Sequence, residues 1–272
     1  MARYHHTEGI CLRRIDYSNT SQVAAFLTPD SGHLSFMAKG VKRAPKKGIA
    51  TEFDLLARYE ILYTARRSSA LNNLTYRWLR EDFRGMRRRI ERILCGYYAA
   101  ELALNFTAEG QPCPALYNVM LESLRAFARG EQLGINVLRL EIAALREHGS
   151  QPTLDVCAEC GSALPERGAV PFNPAAGGAL CASCEADVHG RLPLRSTHVR
   201  GELLRALACF SADPADPTLA SELTPRRTVA LSTVLRVHMR WLLGKELRLW
   251  KYLQGREMSR SLTRLRRRAG VV

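Results

Sequence analysis

Two close pairs of cysteines constrain this chain more than any other feature. The first pair is Cys157 and Cys160, the second is Cys181 and Cys184, and within each pair two residues separate the thiols. Two such pairs on facing loops supply the four thiolates of a tetrahedral zinc site. The sequence therefore predicts a four-cysteine knuckle over residues 154–194 that holds one structural Zn²⁺ per chain.

A disulfide cluster is the alternative for these cysteines, and it would need an oxidising compartment. The N-terminus carries no apolar secretory segment. We therefore expect a cytoplasmic protein, in which reduced thiols are available to bind a metal ion. The other four cysteines lie in apolar surroundings and are predicted to be small core residues: Cys11, Cys95, Cys113 and Cys209.

The cysteine pattern does not favour an enzyme, because a zinc ion closed by four sulfurs has no open position at which to activate water. A zinc deaminase needs His-x-Glu and then Pro-Cys-x-x-Cys. Residues 6–8 fit the first half, but Val156 and Leu180 stand where the prolines are required. The sequence also lacks the His-Glu-x-x-His, P-loop and Gly-x-Ser-x-Gly motifs. We expect a protein without catalytic activity.

Composition points to a polyanionic partner. The chain has 272 residues, of which 46% are hydrophobic, enough for buried cores, and it has a formal net charge of +14. The apolar runs are all shorter than the 18 residues of a membrane span, so no membrane association is expected. The cations are clustered, and these clusters give the candidate DNA-binding residues: Lys39, Lys42, Arg43, Lys46, Lys47, Arg66, Arg67, Arg87, Arg88 and Arg89.

The first 80 residues contain short apolar runs of strand length. Residues 23–27 and 33–39 flank Pro29-Asp-Ser-Gly32, which is typical of a turn and predicts a hairpin. Residues 53–64 and 71–79 supply further strands. About five short strands with basic loops favour a barrel of the oligonucleotide-binding (OB) type. Four aromatic residues of this region could either stack on bases or fill the barrel: Tyr59, Tyr63, Tyr76 and Trp78.

Apolar residues recur at helical spacing beyond residue 80. Three helices are predicted over residues 83–102, 116–127 and 133–145, and Gly130 is predicted to end the second. The run Arg87–Arg89 is predicted to open the first. After the knuckle, a helix is predicted from Val199, Leu203, Leu207 and Phe210. A last helix is predicted to begin at Thr224-Pro225 and to bury one face formed by Val229, Val234, Val237 and Trp241.

These elements predict an α+β protein. An OB-fold β-barrel (1–80) is followed by an α-helical domain in two parts (81–153 and 195–272, the latter with a basic tail). The zinc knuckle (154–194) interrupts the helical domain.

Several local signatures then occur in a specific order. They are FLTPDSG at 26–32, AKGVKR at 38–43, EL at 101–102, LYNVML at 116–121, RLEIAAL at 139–145, and the run from Gly149 through the two cysteine pairs. Together they resemble the bacterial RecO family of recombination and DNA repair proteins over nearly the whole chain.

The resemblance implies a recombination mediator that acts without catalysis at the nucleoid. Proteins of this family bind single- and double-stranded DNA, anneal complementary strands and engage the tail of the single-strand-binding protein. They work with RecR, and in some bacteria with RecF, to help load RecA. Two alternatives remain at this point: a zinc-dependent nucleic-acid-modifying enzyme, and a zinc-ribbon scaffold in transcription or translation.

Overall fold

The computed structural model describes residues 4–41, 52–65, 71–188 and 190–253. Contacts divide the chain into two compact units. The first contains the described residues up to Leu133 together with 249–253, and the second is Gly134–Arg248. The sequence-based domain limits at 80, 153 and 194 stay a prediction. No helix within the described ranges combines the length and the apolar character that a membrane crossing needs.

A closed five-stranded barrel forms the larger part of the first unit. Its strands are β1 (Tyr4–Asp16), β2 (Gln22–Thr28), β3 (Gly32–Ala38), β4 (Arg58–Thr64) and β5 (Asn72–Glu81), in the order β1-β2-β3-β5-β4. Only the β3–β5 pairing is parallel. This arrangement confirms the predicted OB-fold barrel and the α+β class.

Buried and less buried residues alternate along the strands, and the buried ones include the aromatic rings that fill the barrel. In β3 and β4 every second residue is buried, as expected for strands with one face on a core. Phe26 makes edge-on contacts with Phe36, Phe53 and Tyr59, with ring centroids 5.1–5.9 Å apart. Such edge-to-face pairs add to the free energy gained from burying the rings themselves.

The predicted β2–β3 hairpin is confirmed, with Gln22 to Thr28 paired in register against Ala38 to Gly32. Gly32 has a φ of 61°, and a Cβ there would lie 2.0 Å from the carbonyl oxygen of Ala108. The turn is further fixed by Cys113, whose N–H donates to the Pro29 carbonyl at 2.9 Å. Glycine is therefore required where the hairpin meets the segment after the first helix.

The first unit also contains two long helices: α1 (Ile90–Phe106) and α2 (Pro114–Arg129). Pro114 occupies the first turn of α2. Gly130 ends the helix with a φ of 82°, as the sequence predicts. Arg125 of α2 forms a bidentate ion pair with Glu81 at the end of β5, at 2.6–3.2 Å. This pair links the helices to the barrel.

The prediction that Arg87–Arg89 open the first helix is wrong. Phe83 adopts a left-handed conformation, with a φ of 47°. Asp82 accepts a hydrogen bond from the N–H of Arg84, so a short 3₁₀ turn forms over Arg84–Arg88, and α1 begins at Ile90. A side-chain oxygen that accepts a hydrogen bond from the backbone two residues ahead competes with helix formation. The spacing of apolar residues, from which the helix start is predicted, does not reveal such a bond.

The second unit combines helices with a small sheet. Its helices are α3 (Leu133–Glu147), α4 (Ala182–Val188), α5 (Gly201–Ala212), α6 (Pro217–Ser221) and α7 (Pro225–Leu243), and the short α8 (Trp250–Leu253) belongs to the first unit. Strands β6 (Ala169–Asn173), β7 (Gly178–Ala179) and β8 (Thr197–Arg200) form a sheet in the order β7-β6-β8. The sequence analysis did not predict this sheet, because its strands have only two to five residues.

Three predictions about the second unit are wrong. Val199 lies in β8 and not in the following helix, because it pairs with Val170. Cys209 is exposed, because α5 buries the stripe Leu204, Leu207 and Phe210. In α7, Val229 and Trp241 are exposed. The buried face of α7 includes polar residues, which an apolar pattern does not find, and consists of Thr228, Leu231, Ser232, Val234, Leu235, His238 and Met239.

Candidate metal centre and nucleic-acid surface

The four predicted cysteine ligands converge in the second unit. The sulfur atoms of Cys157, Cys160, Cys181 and Cys184 all lie within 4.8 Å of one another. Those of Cys160 and Cys181 are 3.8 Å apart. An ion bound at about 2.3 Å by four tetrahedral sulfurs separates those sulfurs by about 3.8 Å, so the cluster has the size that zinc needs.

The backbone of the first pair folds as a tight knuckle. The N–H of Cys157 donates to the Ser162 carbonyl at 2.8 Å, and the N–H of Gly161 donates back to the Cys157 carbonyl at 2.9 Å. Gly161 has a φ of 72°, which a residue with a Cβ adopts only at a cost. The knuckle directs both sulfurs to the same side of the loop.

The second pair is brought to the first by a close backbone approach. Thr153 donates to the Gly177 carbonyl and accepts from the N–H of Ala179, both at 2.9 Å. Gly178 lies between them, and a Cβ there would be 2.2 Å from the Thr153 carbonyl oxygen. An apolar cluster with Leu180 and Val188 then packs around the buried Cys157.

Hydrogen bonds favour thiolates at this site. The Ser183 hydroxyl, 3.1 Å from the Cys181 sulfur, and the backbone N–H of Cys184 lower the pKa of Cys181 to about 5. The Ser162 hydroxyl likewise lowers the pKa of Cys160. The pKa of Cys184 is raised, because its thiol donates to the sulfurs of Cys160 and Cys181. A cation placed among these sulfurs would replace that shared proton.

Sequence reasoning did not single out the two serines. Each follows a cysteine ligand by two positions, Ser162 after Cys160 and Ser183 after Cys181. That spacing is a usable signal, because a side chain two residues beyond a ligand returns to the same side of a tight turn. Both hydroxyls lie 3.1 Å from the sulfur concerned.

The DNA-binding candidates that the structure describes lie near the two ends of β5. Lys39 is exposed and directly follows β3. Asn73 pairs with Met37 on one side and with Thr64 on the other, so the chain leaves β3 and β4 at the same end of the barrel. Six predicted residues carried by these two connections lie outside the described residues: Lys42, Arg43, Lys46, Lys47, Arg66 and Arg67.

The cationic cluster formed by Arg87, Arg88 and Arg89 lies beyond the other end of β5. Arg88 and Arg89 are exposed there. Arg87 is engaged in an ion pair with Asp54 at 3.0 Å, and both partners are about half exposed. The neighbouring Arg92 donates to the Ala128 carbonyl at 3.0 Å, near the C-terminal end of α2. The arginine run is therefore partly structural, and it does not lie at the same barrel end as Lys39.

The structure separates the four aromatic residues of the strand region into two groups. Tyr59 and Tyr63 point into the barrel and are buried. Tyr76 and Trp78 point outward, with 62% and 47% of their surfaces exposed, and their rings stack with centroids 6.0 Å apart. Between them Arg77 points inward and lies 4.6 Å above the Phe53 ring, where burial lowers its pKa.

Comparison with known proteins identifies the family. The family models described as Recombination protein O N terminal and Recombination protein O C terminal match residues 1–80 and 87–251. The chain belongs to the RecO family. The DNA repair protein RecO of Anaeromyxobacter sp. strain K is 33% identical over 79% of this chain and 85% of its own length.

Two further DNA repair proteins RecO show how widely the similarity extends. That of Rubrobacter xylanophilus is 34% identical over 69% of this chain and 73% of its own length. That of a Roseiflexus species is 28% identical over 95% of this chain and 88% of its own length. The similarity therefore includes the barrel, the helices and the cysteine segment, and it confirms the predicted family and a role in DNA repair.

Proposed function

We propose that this protein is a non-catalytic recombination mediator that binds DNA, anneals complementary strands at the nucleoid and helps load RecA. The observation that carries the proposal is family membership along the whole chain, with an OB-fold barrel at the N-terminus. The chain has a net charge of +14, and its clustered lysines and arginines supply the affinity for phosphate.

Annealing requires a surface that reduces the repulsion between two phosphate backbones and leaves the base edges able to pair. Lysines and arginines on loops meet this requirement, because they neutralise phosphates without reading bases. We therefore propose low sequence specificity. The proposed contacts are the basic residues of the barrel connections and the arginine run: Lys39, Lys42, Arg43, Lys46, Lys47, Arg66, Arg67, Arg87, Arg88 and Arg89.

We propose RecR and the C-terminal tail of the single-strand-binding protein as partners, with RecF and RecA acting in the same pathway. The helical half is proposed to receive the tail, since an acidic peptide suits a basic protein. Titration of the tail peptide into the full chain tests this idea. Unchanged peptide anisotropy at saturating protein concentration would contradict it.

We propose that the metal held by Cys157, Cys160, Cys181 and Cys184 is one Zn²⁺ ion with a structural role. Four cysteine sulfurs within 4.8 Å of one another, with backbone N–H groups directed at two of them, support this assignment. Such a closed site stabilises a fold and offers no position for substrate. For that reason the cluster does not favour the alternative of a nucleic-acid-modifying enzyme.

The deciding experiment is strand annealing. Two complementary oligonucleotides, each coated with single-strand-binding protein, are mixed with the protein, and duplex formation is followed by energy transfer between end labels. We expect faster annealing with the protein than without it, and no signal with non-complementary strands. DNA binding without any acceleration of annealing would contradict the proposed mediator activity. Absence of all DNA binding would contradict the proposal as a whole.

A further inference from the structure

The outer face of the barrel carries an exposed aromatic surface that the barrel itself does not need. Tyr76 and Trp78 of β5 pair across to Leu62 and Glu60 of β4, and Leu62 pairs in turn with His6 of β1. These side chains share the face opposite to the core. We call the surface formed by Tyr76 and Trp78 the outer aromatic pair.

Leaving two large rings in water is costly unless something covers them during function. The barrel core is complete without them, because Phe26, Phe36, Phe53, Tyr59 and Tyr63 already fill it. Tyr76 and Trp78 stack on each other at an interplanar angle of 23°. Both rings are among the exposed large hydrophobic side chains of the described residues.

The charges around the pair suit a nucleic acid. β5 connects the two cationic regions: Lys39 lies near its start, where Asn73 pairs with Met37, and Arg84 and the arginine run follow its end. Arg80 lies on the same face as Trp78 and contacts Glu60, whose other oxygen is 2.5 Å from His6. That carboxylate is therefore neutralised, and a phosphate chain along β5 meets cations at both ends.

The geometry also suits unpaired bases. Side chains two residues apart on a strand are separated by about 6.6 Å, which allows successive rings to meet successive extended nucleotides. Aromatic rings stack on any base because every base has a π face. In a duplex those faces are already stacked on neighbouring bases, so a duplex cannot use the pair.

We infer that Tyr76 and Trp78 form a stacking site for the unpaired bases of single-stranded DNA. The inference rests on the proposed DNA-binding function and adds to it a site that tells single strands from duplexes. Phosphate contacts alone do not favour single strands, because the duplex carries the higher density of backbone charge. The stacked bases keep their pairing edges exposed, which is the state in which annealing begins.

The test compares Trp78→Ala and Tyr76→Ala with the unmodified chain in binding to oligo(dT), an abasic strand of equal length and a duplex. Stacking on an aromatic ring contributes about 1–3 kcal/mol per base, so each variant should bind oligo(dT) at least about fivefold more weakly. Affinity for the abasic strand and the duplex should change less than about twofold, because these ligands use phosphate contacts alone. Trp78→Phe should restore most of the lost affinity.

Trp241→Ala is the matched control, because Trp241 is similarly exposed and lies on α7 in the second unit. Tryptophan fluorescence gives an independent readout: oligo(dT) should quench the unmodified chain and Trp241→Ala, and quench Trp78→Phe much less. Equal affinity of Trp78→Ala and the unmodified chain for oligo(dT) would overturn the inference and leave the DNA-binding proposal intact. Loss of single-strand-binding protein affinity with oligo(dT) affinity retained would instead assign the face to a protein partner.

Discussion

The buried His238 is expected to make the stability of the second unit depend on pH. His238 of α7 is 3% exposed, its Nε2–H donates to the Ser150 carbonyl at 2.9 Å, and the edge of Phe172 packs against its ring. Its Nδ1 is buried without a hydrogen-bond partner among the described residues. Protonation would create a second buried N–H there, so burial lowers the pKa of His238 from 6.5.

We predict that the chain loses stability through His238 as the pH falls below 6.5. Below that value the unfolded chain takes up a proton that the folded chain resists, so protonation favours unfolding. Above it both forms are neutral and the residue contributes no pH dependence. His238→Gln keeps a donor for Ser150 and does not titrate. Urea unfolding at about pH 7.5 and about pH 5.5 should show a smaller difference in unfolding free energy for this variant.

His148→Gln is the control for that experiment, because His148 is exposed and lies close to Ser150 in the chain. It should retain the pH difference of the unmodified protein. If His238→Gln retains that difference as well, the buried ring does not cause it.

At the scale of the element, the cysteine knuckle depends on its ligands more than on an apolar core. Within residues 154–194 it contains two strands, of five and two residues, and one α-helix of seven residues. Elements this short are not stable by themselves, so we expect the proposed metal ion to supply much of the folding free energy. The site is not buried throughout, because Cys160 is exposed and Cys181 and Cys184 are partly exposed.

Cys160→Ser is predicted to remove the metal ion. An alcohol at this position does not ionise as the thiol does, so the zinc content should fall from one ion per chain to near zero. The melting temperature should fall by about 2–4 °C for each kcal/mol lost. Elemental analysis with differential scanning calorimetry measures both quantities, and oligo(dT) affinity at low temperature should stay within about twofold.

Cys209→Ser is the matched control, because Cys209 is exposed on α5 and is not one of the four clustered cysteines. It should keep one zinc ion and an unchanged melting temperature. A full zinc content in Cys160→Ser would mean that the four-thiolate assignment is incorrect.

The sequence was sufficient to predict those elements whose signals are local. The hairpin at Pro29–Gly32, the end of α2 at Gly130 and the start of α7 at Thr224 each rest on turn or capping residues, and all three are present. The four-cysteine cluster belongs to the same class, because the spacing of two residues between paired cysteines is itself a geometric constraint. The predicted ligands do meet at one point.

Features that depend on tertiary contacts could not be predicted in this way. Gly178 and Thr153 approach each other closely through their backbones, and no pattern of residue types in the sequence indicates this contact. The α7 helix buries Thr228 and His238, whose polar atoms bond to the Thr224 and Ser150 carbonyls. Burying polar groups costs little free energy once they are hydrogen-bonded. A search for apolar residues at helical spacing therefore does not find such a face. The outward direction of Tyr76 follows from a register shift beside Leu62 and Tyr63.

At the scale of the whole molecule, the excess of 40 lysines and arginines over 26 acidic residues suggests that the proposed DNA binding depends on salt. Each phosphate contact releases a condensed counterion. The slope of log affinity against log salt concentration is therefore proportional to the number of contacts. Net charge alone raises the affinity without fixing where the contacts lie. An experiment must therefore compare variants that change the net charge equally but at different positions.

We predict that Lys42→Glu combined with Arg43→Glu weakens DNA binding and flattens its salt dependence. Loss of two contacts should reduce the slope of log affinity against log salt by about 1.4 on single-stranded DNA. Arg226→Glu with Arg227→Glu changes the net charge equally at the start of α7, where acidic residues suit the helix dipole, and should leave the slope nearly unchanged. Fluorescence anisotropy of labelled oligo(dT) across a salt series measures both variants. An unchanged slope in the Lys42 and Arg43 variant would move the principal phosphate contacts to the Arg87–Arg89 end of β5.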